Sequence, residues 1–276
     1  MKQLRAIRII LAAICLAATA VCLIFSPQAY PVVESVARIQ ILLSAGAATL
    51  GVTGVWLVIT LIFGRVYCST VCPIGVLSDV FCRMKRWIKP LNKPFRYRHK
   101  SNWGIRILVV YLLSIVIGIS AVALIIEPWN MAANVASLAR QDVIESTWGE
   151  IMSRGVIVGM VCGALSLLML ILSSLKYGRE FCSRYCPIGA GLGYVQEFSV
   201  MHIEIDPDRC TSCGHCEDIC RSQCVKVVSR YIDESRCVRC FDCVAECPNG
   251  AIRYQINRNR RPATPLMRQV KKTQNT

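Results

Sequence analysis

A chain of 276 residues that is 54% hydrophobic is too apolar for an ordinary soluble domain and long enough for two modules, so a membrane protein is expected. A net charge of +15 would suit a nucleic-acid binder, but the basic residues gather in particular loops, which points to membrane topology and to no nucleic-acid role. Seventeen cysteines, most of them in repeated regular spacings, exclude a secreted disulfide framework and indicate cluster chemistry in a reducing compartment.

Four apolar stretches, near residues 7–25, 39–63, 107–126 and 155–175, are each about 20 residues long, enough to cross a hydrocarbon core of about 30 Å. Lys2, Arg5 and Arg8 precede the first. Nine Lys or Arg lie between Arg65 and Lys100, after the second. The loop after the third is acidic, with Glu127, Asp142, Glu145 and Glu150 against Arg140 and Arg154, and everything after Lys176 is basic again. All three basic regions agree on a multi-pass protein of a bacterial cytoplasmic membrane with both termini in the cytoplasm. The first stretch also resembles a signal peptide, with Ala18-Thr19-Ala20 as a cleavage site, but its apolar run exceeds the usual h-region of about 7–15 residues.

An internal repeat underlies the spans. Residues 64–75 read GRVYCSTVCPIG and residues 178–189 read GREFCSRYCPIG, each directly after an even-numbered span. Each half is thus a helical hairpin ending in the same motif, and the two hairpins run in one direction, related by an axis along the membrane normal. Cys68 and Cys72, like Cys182 and Cys186, are four apart and share a face if a helix continues through them, although Pro73 and Pro187 require a break or restart. If the two motifs meet, they offer one four-thiolate site for a third iron–sulfur cluster or another thiophilic metal. If they stay apart, they read as redox-active dithiols, partner contacts, or buried cysteines beside a membrane-exit turn. A disulfide does not suit the cytoplasmic side.

From Cys210 the chain reads CTSCGHCEDICR and from Cys237 CVRCFDCVAECP, two copies of CxxCxxCxxxC. Three thiolates two residues apart wrap one face of a cubane and the fourth crosses to the other cluster. The spacing predicts Cys210, Cys213, Cys216 and Cys247 on one [4Fe–4S] cluster, and Cys237, Cys240, Cys243 and Cys220 on a second. A zinc ribbon uses separated cysteine pairs and would leave the third cysteine of each triplet unemployed. This stretch resembles bacterial-type two-cluster ferredoxins over about residues 200–257. Segments 201–205 and 251–256 alternate as short strands, which makes the module α+β with the clusters as its core. One departure stands out: the pattern places proline after the fourth cysteine, as in Cys247-Pro248, whereas Cys220 is followed by Arg221, with an extra Cys224 that reads as a small buried residue.

The fold class expected is therefore a membrane α-helical part of four spans in two parallel-repeat hairpins, residues 1–199, then the ferredoxin module, residues 200–257, and a basic tail, residues 258–276. Motif order over nearly the whole chain resembles NapH-type quinol dehydrogenase membrane subunits and the related NosR, MauN and CcoG-like polyferredoxins. That resemblance implies electron transfer from the quinol pool through iron–sulfur centres toward a partner reductase or redox chain, with a ferredoxin-like or cytochrome partner subunit. No CxxCH haem-attachment sequence is present. The same resemblance leaves open a metal-cofactor assembly factor working through the CxxxCP thiols, or a redox-sensing regulator.

Candidate quinone-site residues are Tyr67, His99 and Trp103 on the cytoplasmic side and Glu127 and Asn130, beside Trp129, on the other. Trp87, Trp103, Trp129 and Trp148 also suit interfacial anchors, and Glu127 also suits the end of the third span. His202 and His215 read as surface residues. Cys15, Cys22, Cys162 and Cys82 read as small apolar fillers without motif partners.

Overall fold

The computed structural model describes residues 2–25, 50–85, 88, 94–99, 102–117, 127–137 and 154–256. The expectations for the tail at 258–276, for Trp87, Lys100 and Trp148, for Asp142, Glu145 and Glu150, and for the side chain of Cys162 lie outside these residues.

Four long apolar helices precede the C-terminal cysteine runs: α1 (Lys2–Phe25), α2 (Leu50–Phe63), α5 (Trp103–Ile117) and α7 (Arg154–Tyr177). Among the described residues one is long and apolar enough to cross a membrane, over Gln3–Leu23, and Gly51–Phe63, Trp103–Ile117 and Gly163–Tyr177 form shorter apolar helices. Their outer faces carry exposed side chains such as Ile10, Val58, Val110 and Leu168. So much exposed apolar surface suits lipid rather than water.

Between α2 and α5 lie the single turn α3 (Tyr67–Thr70) and α4 (Pro73–Met84). After α7 the second repeat forms a π-turn, Phe181–Tyr185, and α8 (Pro187–Gln196). The two repeats therefore break alike. Cys72 and Cys186 are extended N-caps, with ψ of 117° and 120°, and Pro73 and Pro187 open the next helix at the position where a missing N–H costs nothing. The helix does not run through either CxxxC unit.

Tyr111 Oη, on α5, donates to Glu127 Oε1 over 3.2 Å. Helix α6 (Pro128–Ser137) then packs against α7, α4 and α1 rather than lying in an opposite-side loop.

From Met201 the ferredoxin-like part takes the expected α+β form. Strands β1 (Met201–Ile205) and β4 (Ile252–Ile256) pair antiparallel, with Ile203 opposite Tyr254. A second short ladder joins Val225 to Ile232 and Lys226 to Tyr231. Its core is made of Ile203, Val225, Val244 and Ile252 together with cysteines 220, 224, 237 and 243.

Candidate iron–sulfur sites

The two CxxxCP motifs meet. Cys68, Cys72, Cys182 and Cys186 are all buried and share one core cluster with Tyr67, Leu170, Phe181 and the α6 residues Met131 and Ala132. Each cysteine of the second pair also senses the first. Burial pushes the Cys72 thiol well up, and Cys68, Cys182 and Cys186 push it further. Burial likewise raises Cys182, to about 12, against the opposing pull of Arg179.

The repeat explains how the halves are joined. Arg65 and Arg179 occupy the same motif position and are fully buried. Arg65 Nη1 donates to Gly189 O at 2.5 Å, while Arg179 donates through Nη2 to Gly75 O at 2.9 Å and through Nη1 to Cys68 O at 3.2 Å. Each half thus clasps the glycine carbonyl of the other. Those glycines are sterically required: a Cβ at Gly75 or Gly189 would stand well under 3.0 Å from the carbonyl oxygen of Cys68 or Cys182. The close approach also lets Gly189 N–H reach Cys186 Sγ, at 3.4 Å, so a sulfur caps the start of α8.

The two arginines differ in one respect. Arg179 Nε pairs with Asp79 Oδ1 at 2.6 Å, whereas the equivalent of Asp79 in the second repeat is Gly193. Nε and Nη2 of Arg65 are buried without a hydrogen-bond partner, and its charge is felt at Cys68 and Cys182. Four buried thiols beside an uncompensated guanidinium are a donor set for an anionic group. Among the described residues no three His, Cys, Asp or Glu stand close enough to hold a single metal ion.

The ferredoxin cysteines act on one another electrostatically. Cys216 is raised to about 11 by burial and by Cys210, Cys213 and Cys247, and Cys243 is raised by burial and by Cys240, Cys220 and Cys237. Cys216 also acts on Cys243, which places the two sets side by side. They differ in exposure: Cys213 is exposed and Cys210, Cys216 and Cys247 half-buried, whereas Cys220, Cys237 and Cys243 are buried.

A buried ion network connects the second set to the membrane-side thiols. Asp79 pairs with Arg179, with Arg8 at 2.6 Å, and with Arg221 at 2.9 Å, the last an ion pair lacking hydrogen-bond alignment. Arg221 continues to Asp242 at 2.7 Å, which also pairs with Arg5 at 3.0 Å. Burial alone would raise the Asp79 carboxyl, but Arg179, Arg221 and Arg8 outweigh it and hold it well below the usual carboxylate range. Arg179 feels both Cys182 and Cys240. It stands between the two thiol sets. Arg221, the residue that replaces the pattern's proline, is thus the pin that fastens one part to the other, helped by Arg179 N–H donating to its carbonyl at 2.9 Å. Arg239 acts similarly, pairing with Glu234 at 2.6 Å and lying against Gly64.

Sequence reasoning missed these arginines because it counted Arg8, Arg65 and Arg179 as solvated topogenic charges. The recurrence of Gly-Arg at the head of both repeats was the available signal. Of the quinone candidates, Glu127 is fully buried and accepts from Tyr111 and from Asn130 Nδ2 at 3.0 Å. Tyr111 lies within electrostatic reach of Cys186. Tyr67 is buried edge-on to Trp56, while His99 and Trp103 are exposed. His202 is buried rather than superficial, 3.9 Å from Glu234, and His215 is exposed as expected. Cys82 has a partner after all, donating to Ser174 O at 3.4 Å.

Comparison with known proteins bears on the same residues. A family model described as a 4Fe-4S binding domain matches residues 45–90 and again 160–205, the two halves that carry the CxxxCP motifs. A second 4Fe-4S binding domain model matches residues 231–252. The chain is similar to the methylamine utilization ferredoxin-type protein MauN of Paracoccus denitrificans, 28% identical over 72% of this chain and 63% of that protein. It is 27% identical to the ferredoxin-type protein NapH of Escherichia coli over 72% of this chain and 67% of NapH. It is 24% identical to the putative electron transport protein YccM of the same organism over 74% of this chain and 55% of YccM. No solved structure matches.

Proposed function

We propose that the chain is a ferredoxin-type iron–sulfur electron-transfer protein like its NapH, MauN and NosR relatives, a membrane relay carrying electrons from the quinol pool to a cytoplasmic redox partner. In this reading four helices, α1, α2, α5 and α7, span the membrane, and both ends of the chain face the cytoplasm. Cys68, Cys72, Cys182 and Cys186 hold one [4Fe–4S] cluster, Cys220, Cys237, Cys240 and Cys243 a second, and Cys210, Cys213, Cys216 and Cys247 a third. Each such cluster supplies one-electron transfer.

The observation that carries the reading is Arg179, whose charge reaches both Cys182 and Cys240. With Cys216 acting on Cys243, the three thiol sets form one line from the buried membrane face to the exposed Cys213. The chain's own residues make that line workable. Arg65, Arg179 and Arg221 offset negative charge in a low-dielectric interior, the crossed arginine clasp fixes the first set, and the Asp79 network fixes the distance to the second. Oxidation of a quinol releases two electrons and two protons. With clusters bound at these thiols the electrons would leave singly, and the Glu127 carboxylate, which accepts from Tyr111 and Asn130, would take up a proton within the helical part. A partner docks where the exposed Cys213 edge brings the third set closest to water.

The test is to add a soluble quinol analogue to the purified, cluster-replete protein in detergent under anaerobic conditions and record EPR. Reduced cluster signals are expected; their absence, when dithionite still produces them, would refute the quinol reading while leaving the clusters intact.

A further inference from the structure

Cys224 is more than a small buried filler. Its Sγ lies 3.5 Å from Cys220 Sγ, and Cys237 shares the same buried cluster. All three are buried, at 2% exposure for Cys224 and 6% for each neighbour. Both neighbours belong to one proposed four-thiolate set, and Cys224 does not share its spacing. A tight turn produces the arrangement: Gln223 N–H donates to Cys220 O at 3.0 Å, Gln223 takes a left-handed φ of 52°, and Asp233 N–H fixes the Cys224 carbonyl at 2.8 Å.

We propose that Cys224 is a non-ligating thiol that donates its S–H to the ligand sulfur of Cys220 and thereby sets the reduction potential of the Cys220/Cys237/Cys240/Cys243 centre. A hydrogen bond to a ligand sulfur draws electron density from it, which makes an added electron less costly and raises the potential. The interior offers no water to replace it, because Cys220, Cys224 and Cys237 are all buried. The inference rests on the ligand assignment proposed above.

The test uses the full-length protein carrying Cys224→Ala, Cys224→Ser or Cys220→Ala, with iron and sulfide counted and potentials measured by EPR-monitored titration. Cys224→Ala should keep the wild-type iron content while one centre shifts to a more negative potential and the others hold. The shift corresponds to about a tenfold change in its reduced-to-oxidised ratio, or about 59 mV for one electron. Cys224→Ser, which keeps an O–H donor, should recover part of the shift, and Cys220→Ala should lose the centre. Unchanged potentials in Cys224→Ala would overturn the proposal. So would loss of that centre's iron in Cys224→Ala with its retention in Cys220→Ala, since Cys224 would then be the ligand. If the wild-type protein itself assembles no such centre, the ligand assignment fails first and the iron count reveals it.

Discussion

Replacing Asp79 by Asn removes the carboxylate that three buried arginines share. Asp79 is 4% exposed and lies 2.6 Å from both Arg8 and Arg179 and 2.9 Å from Arg221. Breaking a buried pair by deleting one partner typically costs about 3–5 kcal/mol, because the remaining charge is left uncompensated, and here three cations lose one anion. Asp242 still holds Arg221, so the cost should fall within that range rather than multiply. The damage should be directional. Amide exchange should rise around residues 218–226 and 178–182, where the two parts meet, and change little in the β1–β4 ladder. Arg221→Pro, which restores the residue expected after a fourth cysteine, should produce the same pattern. The double variant should cost less than the sum by about 1–3 kcal/mol, since both remove one interaction. The sign of the pH dependence follows from the depressed Asp79 carboxyl. Its stabilisation is complete above the ordinary aspartate value of about 3.9 and declines as pH falls below it toward the lower folded value, so the wild-type advantage over Asp79→Asn should persist at pH 5 and shrink in stronger acid. Equal stability of Asp79→Asn and wild type at pH 7, with unchanged exchange at residues 178–182, would refute the reasoning.

Gly189→Ala should destabilise the protein by about 1–3 kcal/mol or more and disrupt the first thiol set, because its Cβ would meet the Cys182 carbonyl, whereas Gly51→Ala has open space and should be tolerated; thermal unfolding with iron analysis distinguishes them. Glu127→Gln keeps an acceptor for Tyr111 but cannot take a proton, so quinol-driven cluster reduction in stopped-flow absorbance should slow roughly 100-fold while reduction by dithionite is unchanged. Arg65→Met removes the buried cation beside Cys68 and Cys182, and the potential of the membrane-side centre should fall by about 60 mV or more in an EPR titration.

In the ferredoxin-like part the paired strands were legible, because segments such as Met201–Ile205 announce themselves by alternation. The repeat was equally plain. What the sequence left open was whether its halves meet, since that depends on contacts between residues more than 100 positions apart, such as Arg179 to Cys68 and Gly75. Arg65 and Arg179 look like any topogenic cation until the fold buries them. The contact between Tyr111 and Glu127 was equally hidden, because it joins residues that hydropathy alone does not relate. Arg221 illustrates a useful case: a residue that breaks a family pattern was visible from the start, and its reason became apparent only as the bridge between Asp79 and Asp242.

The most direct test of a three-centre line is iron and acid-labile sulfide per chain in the purified full-length protein, measured beside the Cys72→Ser/Cys186→Ser variant. Three [4Fe–4S] centres predict about twelve iron atoms per chain, falling to about eight in the variant with both ferredoxin-type EPR signals retained. About eight in both proteins would contradict the account, because the four CxxxCP thiols would then hold no cluster at all.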